Sequence, residues 1–376
     1  MTEQSLPPPI WVDKPTVFNH MVADLSAQPC VAVDTESNSL HAFRERVCLI
    51  QFSTPKKDYV VDPFMLQDLS PLAPIFADPA IEKIFHAAEY DLICLRRDFG
   101  FEFASLFDTM QAARVLGYPF VGLDNILAEK FDVKIDKRHQ KADWGARPLT
   151  PAQIDYARFD THYLFQLRDL LEGELREKGR WDIALEDFSL ACLAVEPKEK
   201  VNGASWKKFS TRKDLTLREL TILSELCACR DEIAEKLDRP PFKVIGDDIL
   251  LEIARNLPEK DVDLSGLGMS SRQIHLWGRD VFAALRRGVD APLVKREQVK
   301  RPSDAVLKRL ERLKNWRKKQ AKELAVESDI VLPKMYLSRL AENPPQSIAD
   351  LETVMSDAPM RFRQYGLQIY SLIGGH

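Results

Sequence analysis

The strongest constraint on this chain is the stretch Val31-Ala32-Val33-Asp34-Thr35-Glu36, an unbroken apolar run that ends in two carboxylates one residue apart. Consecutive apolar residues rich in β-branching suit a strand buried on both faces. Side chains alternate along a strand, so Asp34 and Glu36 project to the same side. Two acids crowded at the end of a buried strand lose hydration and repel each other, a cost that a structural segment has little reason to carry. A bound divalent cation would remove it.

Neighbouring segments place this strand in a sheet. Residues 46–53 and 58–62 read as two further strands around the turn Pro55-Lys56-Lys57, and their short connections predict an antiparallel meander. A short buried strand follows at 81–86, then a helix over 89–99 with Leu92, Ile93, Leu95 and Phe99 at helical spacing. Asp91 falls in the first turn of that helix, where the dipole favours an acid whatever else it does. Another strand is expected at 105–109, with helices over 110–116 and 125–131.

Periodicity disappears between 130 and 150, a polar stretch carrying Lys134, Lys137, Arg138, His139, Lys141 and Arg147, with Trp144 its one large aromatic. Such a loop is either solvated or placed to follow a phosphate backbone. Thr150-Pro151-Ala152-Gln153 then combines an N-cap, a proline at the first helical position and a capping-box glutamine, so a helix begins there. Tyr156 and Asp160 lie four residues apart on one face of it, either as a surface contact or as a phenol working beside a carboxylate.

Asp34, Glu36, Asp91 and Asp160 supply four carboxylates, and Tyr156 one phenol, from three elements. Oxygen-only donors suit Mg2+ or Mn2+ rather than zinc. Four acids suffice for two such ions at the roughly 4 Å spacing used for in-line displacement at phosphorus. The motifs Val33-Asp34-Thr35-Glu36, His86-Ala87-Ala88-Glu89-Tyr90-Asp91 and Tyr156-Ala157-Arg158-Phe159-Asp160 together resemble the three exonuclease motifs of the DEDD superfamily, in its tyrosine-bearing branch. Phe107-Asp108-Thr109 and Asp143-Trp144-Gly145-Ala146-Arg147-Pro148-Leu149 resemble the ribonuclease D family in particular.

That resemblance implies a ribonuclease H-like α/β fold, a mixed sheet flanked by helices. It also implies two divalent metal ions and 3′→5′ hydrolysis releasing nucleoside 5′-monophosphates. It makes Asp34, Glu36, Asp91 and Asp160 the metal ligands and Tyr156 the residue that orients the attacking water. His86 is expected to pack or hydrogen-bond and Asp108 to act structurally. His162 departs from the family pattern without evident consequence, and Thr35 and Gln51 are candidate contacts to a terminal nucleotide.

Charges, Pro197 and Asn202-Gly203 mark a linker over 196–208, beyond which the chain repeats itself. A shift of 87 residues without a gap pairs Leu220 with Leu307, Leu223 with Leu310, Arg230 with Arg317, Ala234 with Ala321, Val244 with Val331 and Pro258 with Pro345. The first copy resembles the HRDC domain, and the second less closely, with Arg317-Lys318-Lys319-Gln320-Ala321 replacing Arg230-Asp231-Glu232-Ile233-Ala234. The expected organisation is an exonuclease domain over 1–200 followed by two all-α HRDC-type domains at 211–290 and 300–376. Neither repeat contains a catalytic constellation, so both read as binding or positioning modules.

The net charge of −4 conceals a run from Lys295 to Lys322 with twelve Lys and Arg against three acids, and with Trp316 inside it. That excess favours contact with nucleic acid over a merely solvated helix. No stretch approaches the roughly 18 apolar residues of a membrane span. Residues 1–9 lack the basic and then apolar pattern of a secretory signal, and six scattered cysteines read as free thiols, so a cytoplasmic protein is expected. The expected activity is that of a 3′→5′ exoribonuclease, a monomer trimming structured RNAs such as tRNA precursors. A DNA exonuclease and a non-catalytic nucleic-acid-binding scaffold are the competing readings.

Overall fold

The computed structural model describes residues 7–193, 205–296 and 301–373. A six-stranded mixed sheet runs in the order β1-β4-β3-β2-β5-β6. Its strands are β1 (Ile10–Val12), β2 (Cys30–Ser37), β3 (Val47–Ser53), β4 (Asp58–Val61), β5 (Glu82–Phe85) and β6 (Leu106–Asp108). β2, β3 and β4 form the antiparallel meander, while β1 joins β4, β5 joins β2 and β6 joins β5 in parallel.

Helices α1 (Pro15–Ser26), α2 (Ala73–Ala77), α3 (Glu89–Phe99), α4 (Thr109–Leu116), α5 (Leu123–Phe131), α6 (Pro151–His162), α7 (Leu164–Glu177) and α8 (Trp181–Leu193) accompany the sheet. The expected elements of this half are present within two residues of their predicted starts. β1, at the sheet edge, and helices α1, α2, α7 and α8 are additional.

Burial on two faces explains the apolar strands. On β3, Ile50 and Phe52 enter the main core with Val31, Ala32 and Val33 of β2, whereas Leu49 packs with Ala157 of α6. The pairing of β2 with β3 shifts register between Glu36 and Ser37, the kind of bulge that re-aims side chains at the end of a strand.

The 87-residue repeat is visible element by element. Helices α9 (Leu217–Lys236), α10 (Pro241–Val244), α11 (Asp247–Asn256), α12 (Asp261–Gly266) and α13 (Ser271–Asp290) recur as α14 (Asp304–Leu324), α15 (Ser328–Val331), α16 (Lys334–Glu342), α17 (Ile348–Val354) and α18 (Pro359–Ile373). Each copy has its own apolar core. Most of the expected linker, together with Glu297 and Lys300 of the basic run, lies outside the described residues.

The chain divides into two compact units. One contains the sheet, α1–α8 and the second repeat; the other contains the first repeat and residues 38–46. In the latter, Phe43 packs on the helical core and donates its backbone N–H to Asp238 at 3.1 Å, while Arg44 meets Glu235 at 2.6 Å. Buried Arg230 pairs there with Asp247 at 2.7 Å.

In the former unit, the second repeat is fixed to the exonuclease-like half. Arg361 of α18 is fully buried and bonds Glu186 and Asp187 of α8, each at 2.7 Å, as well as the Ile330 carbonyl. Arg114 of α4 pairs with Glu327 and Asp329, and Arg180 donates to the carbonyls of Val115 and Leu324. Gly117, at φ 83°, lies so close to the Ala325 carbonyl that a β-carbon would collide with it. Removing one partner of a buried ion pair costs about 3–5 kcal/mol. Arg361→Met should therefore lower stability by that order in chemical denaturation, and an unchanged midpoint would show that the cluster holds nothing together.

Candidate active site

Three elements converge at the end of β2. This strand supplies Asp34 and Glu36, α6 supplies Asp160, and one carboxylate oxygen from each lies within 4.8 Å of the others. Asp91 of α3 stands outside that tight triad. Thr35 projects from β2 opposite to Asp34 and donates its hydroxyl to the Asp91 carboxylate. Asp91 is also 93% buried, its side chain carrying a tertiary partner as well as a favourable place in the helix dipole.

The electrostatics follow from this crowding. Desolvation, then the charges of Asp91, Asp160 and Glu36, hold Asp34 well above the usual carboxylate range. Desolvation together with Asp160 and Asp91 does the same to Glu36. Burial pushes Asp91 up against the opposing hydrogen bond from Thr35, and burial with the charge of Asp91 pushes up Asp160, each to about 7. Besides burial, the principal influences on these acids are one another's charges, the charge of Asp108 on Asp91, and hydrogen-bond donors. Clustered anionic oxygens without basic partners fit a hard divalent cation.

Tyr156 lies one helical turn before Asp160 on α6, which starts with the expected capping box at Thr150 and Gln153. Its ring stacks on Trp144 at 6.0 Å and meets His139 edge-on at 6.1 Å. Burial and the charges of Asp160, Glu36 and Asp34 raise the phenol well above its ordinary value. Tyr156 is consequently a neutral hydroxyl near neutral pH, able to orient a water but not to act as an anionic base.

The polar loop before α6 is more ordered than its composition indicates. Trp144 is 99% buried against Cys48, Leu49 and Val60. Arg147, one of the cations of this solvated or phosphate-facing loop, instead forms a two-pronged pair with Asp62 at 2.7 and 2.9 Å and donates to the carbonyls of Cys48, Trp144 and Ala146. Lys137 pairs with Asp124 and Arg138 with Asp136.

Asp108 is structural, as expected. It accepts the backbone N–H groups of Ala87, Ala88, Met110 and Gln111, capping α4 and holding the turn into α3, where Ala87 adopts φ 64°. That turn sets the start of the helix bearing Asp91. His86 Nδ1 sits 2.9 Å from the Thr109 hydroxyl, and His162 Nδ1 sits 2.9 Å from Asp58. The role of His162 was not legible in its local sequence, because Asp58 lies 104 positions away.

Residues 9–176 match the family model described as a 3′-5′ exonuclease, and residues 219–285 and 306–373 match the HRDC domain. The chain thus carries a DEDD-type 3′-5′ exonuclease domain and two HRDC domains. It is 35% identical over 240 residues to the exosome complex component 10 homolog of Caenorhabditis elegans, covering 63% of this chain and 27% of that protein. Against the exosome complex exonuclease RRP6 of Saccharomyces cerevisiae the identity is 32% over 265 residues, 66% of this chain and 36% of the yeast protein. The chain therefore spans roughly a third of the length of these curated relatives.

The catalytic core of RRP6 from Trypanosoma brucei superposes with a TM-score of 0.67 at 27% identity, over 78% of this chain and 82% of that one. Escherichia coli RNase D shares the fold, with a TM-score of 0.69 at 23% identity over 97% of this chain and 98% of that one.

Carboxylates whose folded pKa exceeds the unfolded value of about 4 stabilise the acidic form of the native state. Their contribution is complete below pH 4 and is lost as pH rises through about 7 for Asp91 and Asp160. In EDTA, the melting temperature of the wild type should fall across pH 4.5–8.5 more steeply than that of Asp34→Asn. Parallel curves for the two proteins would rule out repulsion among these acids.

Proposed function

We propose that this chain is a 3′→5′ exoribonuclease that hydrolyses phosphodiester bonds and releases nucleoside 5′-monophosphates. The observation carrying this reading is the approach of Asp34, Glu36 and Asp160 to within 4.8 Å beside buried Asp91. Asp34, Glu36, Asp91 and Asp160 would hold two divalent ions, Mg2+ or Mn2+. Such ions supply positive charge to the scissile phosphate and its leaving oxygen, and lower the pKa of water.

The side chains do the remainder. Tyr156, neutral and braced on Trp144, orients a water for attack through its hydroxyl. Thr35 fixes the Asp91 carboxylate, and Asp108 fixes the turn from which α3 departs. An RNA rather than a DNA substrate is favoured by the likeness to the exosome complex exonuclease RRP6 of Saccharomyces cerevisiae. Structured RNA, including 3′-extended tRNA, is the proposed target, and the proposed setting is a monomer in the cytoplasm. No described helix is long and apolar enough to cross a membrane.

On α14, Lys308, Arg312, Lys314, Lys318, Lys319 and Lys322 are exposed, a surface suited to phosphates. Other members of the basic run are engaged within the protein: Arg309 and Arg317 donate to the carbonyls of Ala341 and Leu332, and Trp316 packs edge-on against Tyr365 while bonding Gln368.

Digestion of a 3′-extended tRNA beside matched single-stranded RNA and DNA, with Mg2+ or with EDTA, tests this function. Metal-dependent release of 5′-mononucleotides from RNA is expected, reduced at least about 100-fold in Asp160→Asn. Tyr156→Phe should lower kcat by a factor of about 100 with KM little changed. Full activity in Asp160→Asn, or preference for DNA, would refute the assignment.

Simultaneous Lys314→Ala, Lys318→Ala, Lys319→Ala and Lys322→Ala should weaken RNA binding. The slope of log affinity against log salt should flatten by about 0.7 for each phosphate that these cations no longer neutralise. An unaltered slope would mark α14 as a solvated face. Charge removal is a cleaner test than deleting the second repeat, which would strip Glu186 and Asp187 of Arg361.

A further inference from the structure

Gln51 lies in the middle of β3 and is fully buried, yet neither its side-chain oxygen nor its nitrogen has a hydrogen-bond partner among the described residues. An unsatisfied buried carboxamide is costly. A polar side chain inside an otherwise apolar strand therefore points to a partner that forms under working conditions.

The strand register identifies the direction of that partner. Gln51 is the pairing partner of Asp34 on one side and of Val60 on the other. Residues directly opposite on antiparallel strands share a face, with β-carbons about 4.5–5.5 Å apart. Two positions either side of Gln51, on that same face, Leu49 packs with Ala157 and the Ser53 hydroxyl meets that of Thr161 at 2.7 Å. Gln51 thus lies under the turn of α6 that carries Asp160. Val60 has no polar side chain to offer, whereas Asp34, directly opposite on β2, presents a carboxylate. A parallel exists nearby: the Asp91 carboxylate is held by the Thr35 hydroxyl.

We infer that Gln51 is a positioning residue for the acid cluster. Its carboxamide N–H holds one oxygen of the ionised Asp34, directly or through a single buried water, and so decides which oxygen remains free for the metal. This inference rests on the reading of Asp34 as a metal ligand. Carboxylates that bind metals are themselves held by hydrogen bonds, and loss of such a partner typically weakens metal binding about 10–100-fold.

Mn2+ binding to the full chain by isothermal titration calorimetry, with melting temperature in EDTA as a second readout, tests the assignment on wild type, Gln51→Leu and Asp34→Ala. Gln51→Leu keeps a similar volume and removes the orphaned amide, so the expected outcome is Mn2+ affinity lowered about 10–100-fold with a melting temperature unchanged or raised. Unchanged affinity in Gln51→Leu, alongside lost binding in Asp34→Ala, would overturn the role of Gln51 and leave the metal site standing. Wild-type affinity in Asp34→Ala would overturn the metal-ligand reading and this inference with it. Should circular dichroism show Gln51→Leu unfolded, Gln51→Met carries the same expectation.

Discussion

Mutual repulsion among four poorly hydrated carboxylates is the constraint to which the rest of the exonuclease half answers. Concentrating negative charge destabilises the metal-free fold, so the surrounding structure has to hold the acids in place against their tendency to separate. A central strand locked into the sheet by both neighbours does this for Asp34 and Glu36. A strongly capped helix does it for Asp160. The third contribution is more elaborate, since Asp91 depends on Thr35 from β2 and on the turn secured by the Ala87 and Ala88 N–H bonds to Asp108.

The same logic explains the ordered loop before α6. The Tyr156 phenol lies within the field of Asp160, Glu36 and Asp34, and an aromatic ring gains rotational definition by packing against another. Trp144 provides that surface, and the pairing of Arg147 with Asp62 ties down the loop that carries Trp144. A segment rich in cations thereby acts as a brace for a phenol, with three of its basic side chains satisfied by protein acids.

Much of this was readable in the residues. Apolar runs, helical spacing and the Thr150 cap located β2 and α6 and hence three of the acids, because those signals are local and strong. The 87-residue register located the second helical repeat from the first, since a duplicated segment preserves its own core pattern. Residues whose partners are remote in sequence were not readable in this way. Arg147 and His162 find their acids 85 and 104 positions away, and the pairing of Arg361 with Glu186 spans 175. Composition registers each of these only as a surface charge or a polar loop residue. Edge strand β1, three residues long, gave too short a pattern to detect.

Arg361 has a further consequence for the duplication. The position 87 residues earlier is Ile274, a side chain with no charge to exchange, so the ion cluster belongs to one copy alone. The second copy thus carries an architectural duty toward the nuclease half. Drift in its sequence is therefore filtered by folding of that half as well as by whatever ligand its surface meets. The two copies are no longer interchangeable parts: transplanting the first copy into the place of the second would leave Glu186 and Asp187 buried without their guanidinium.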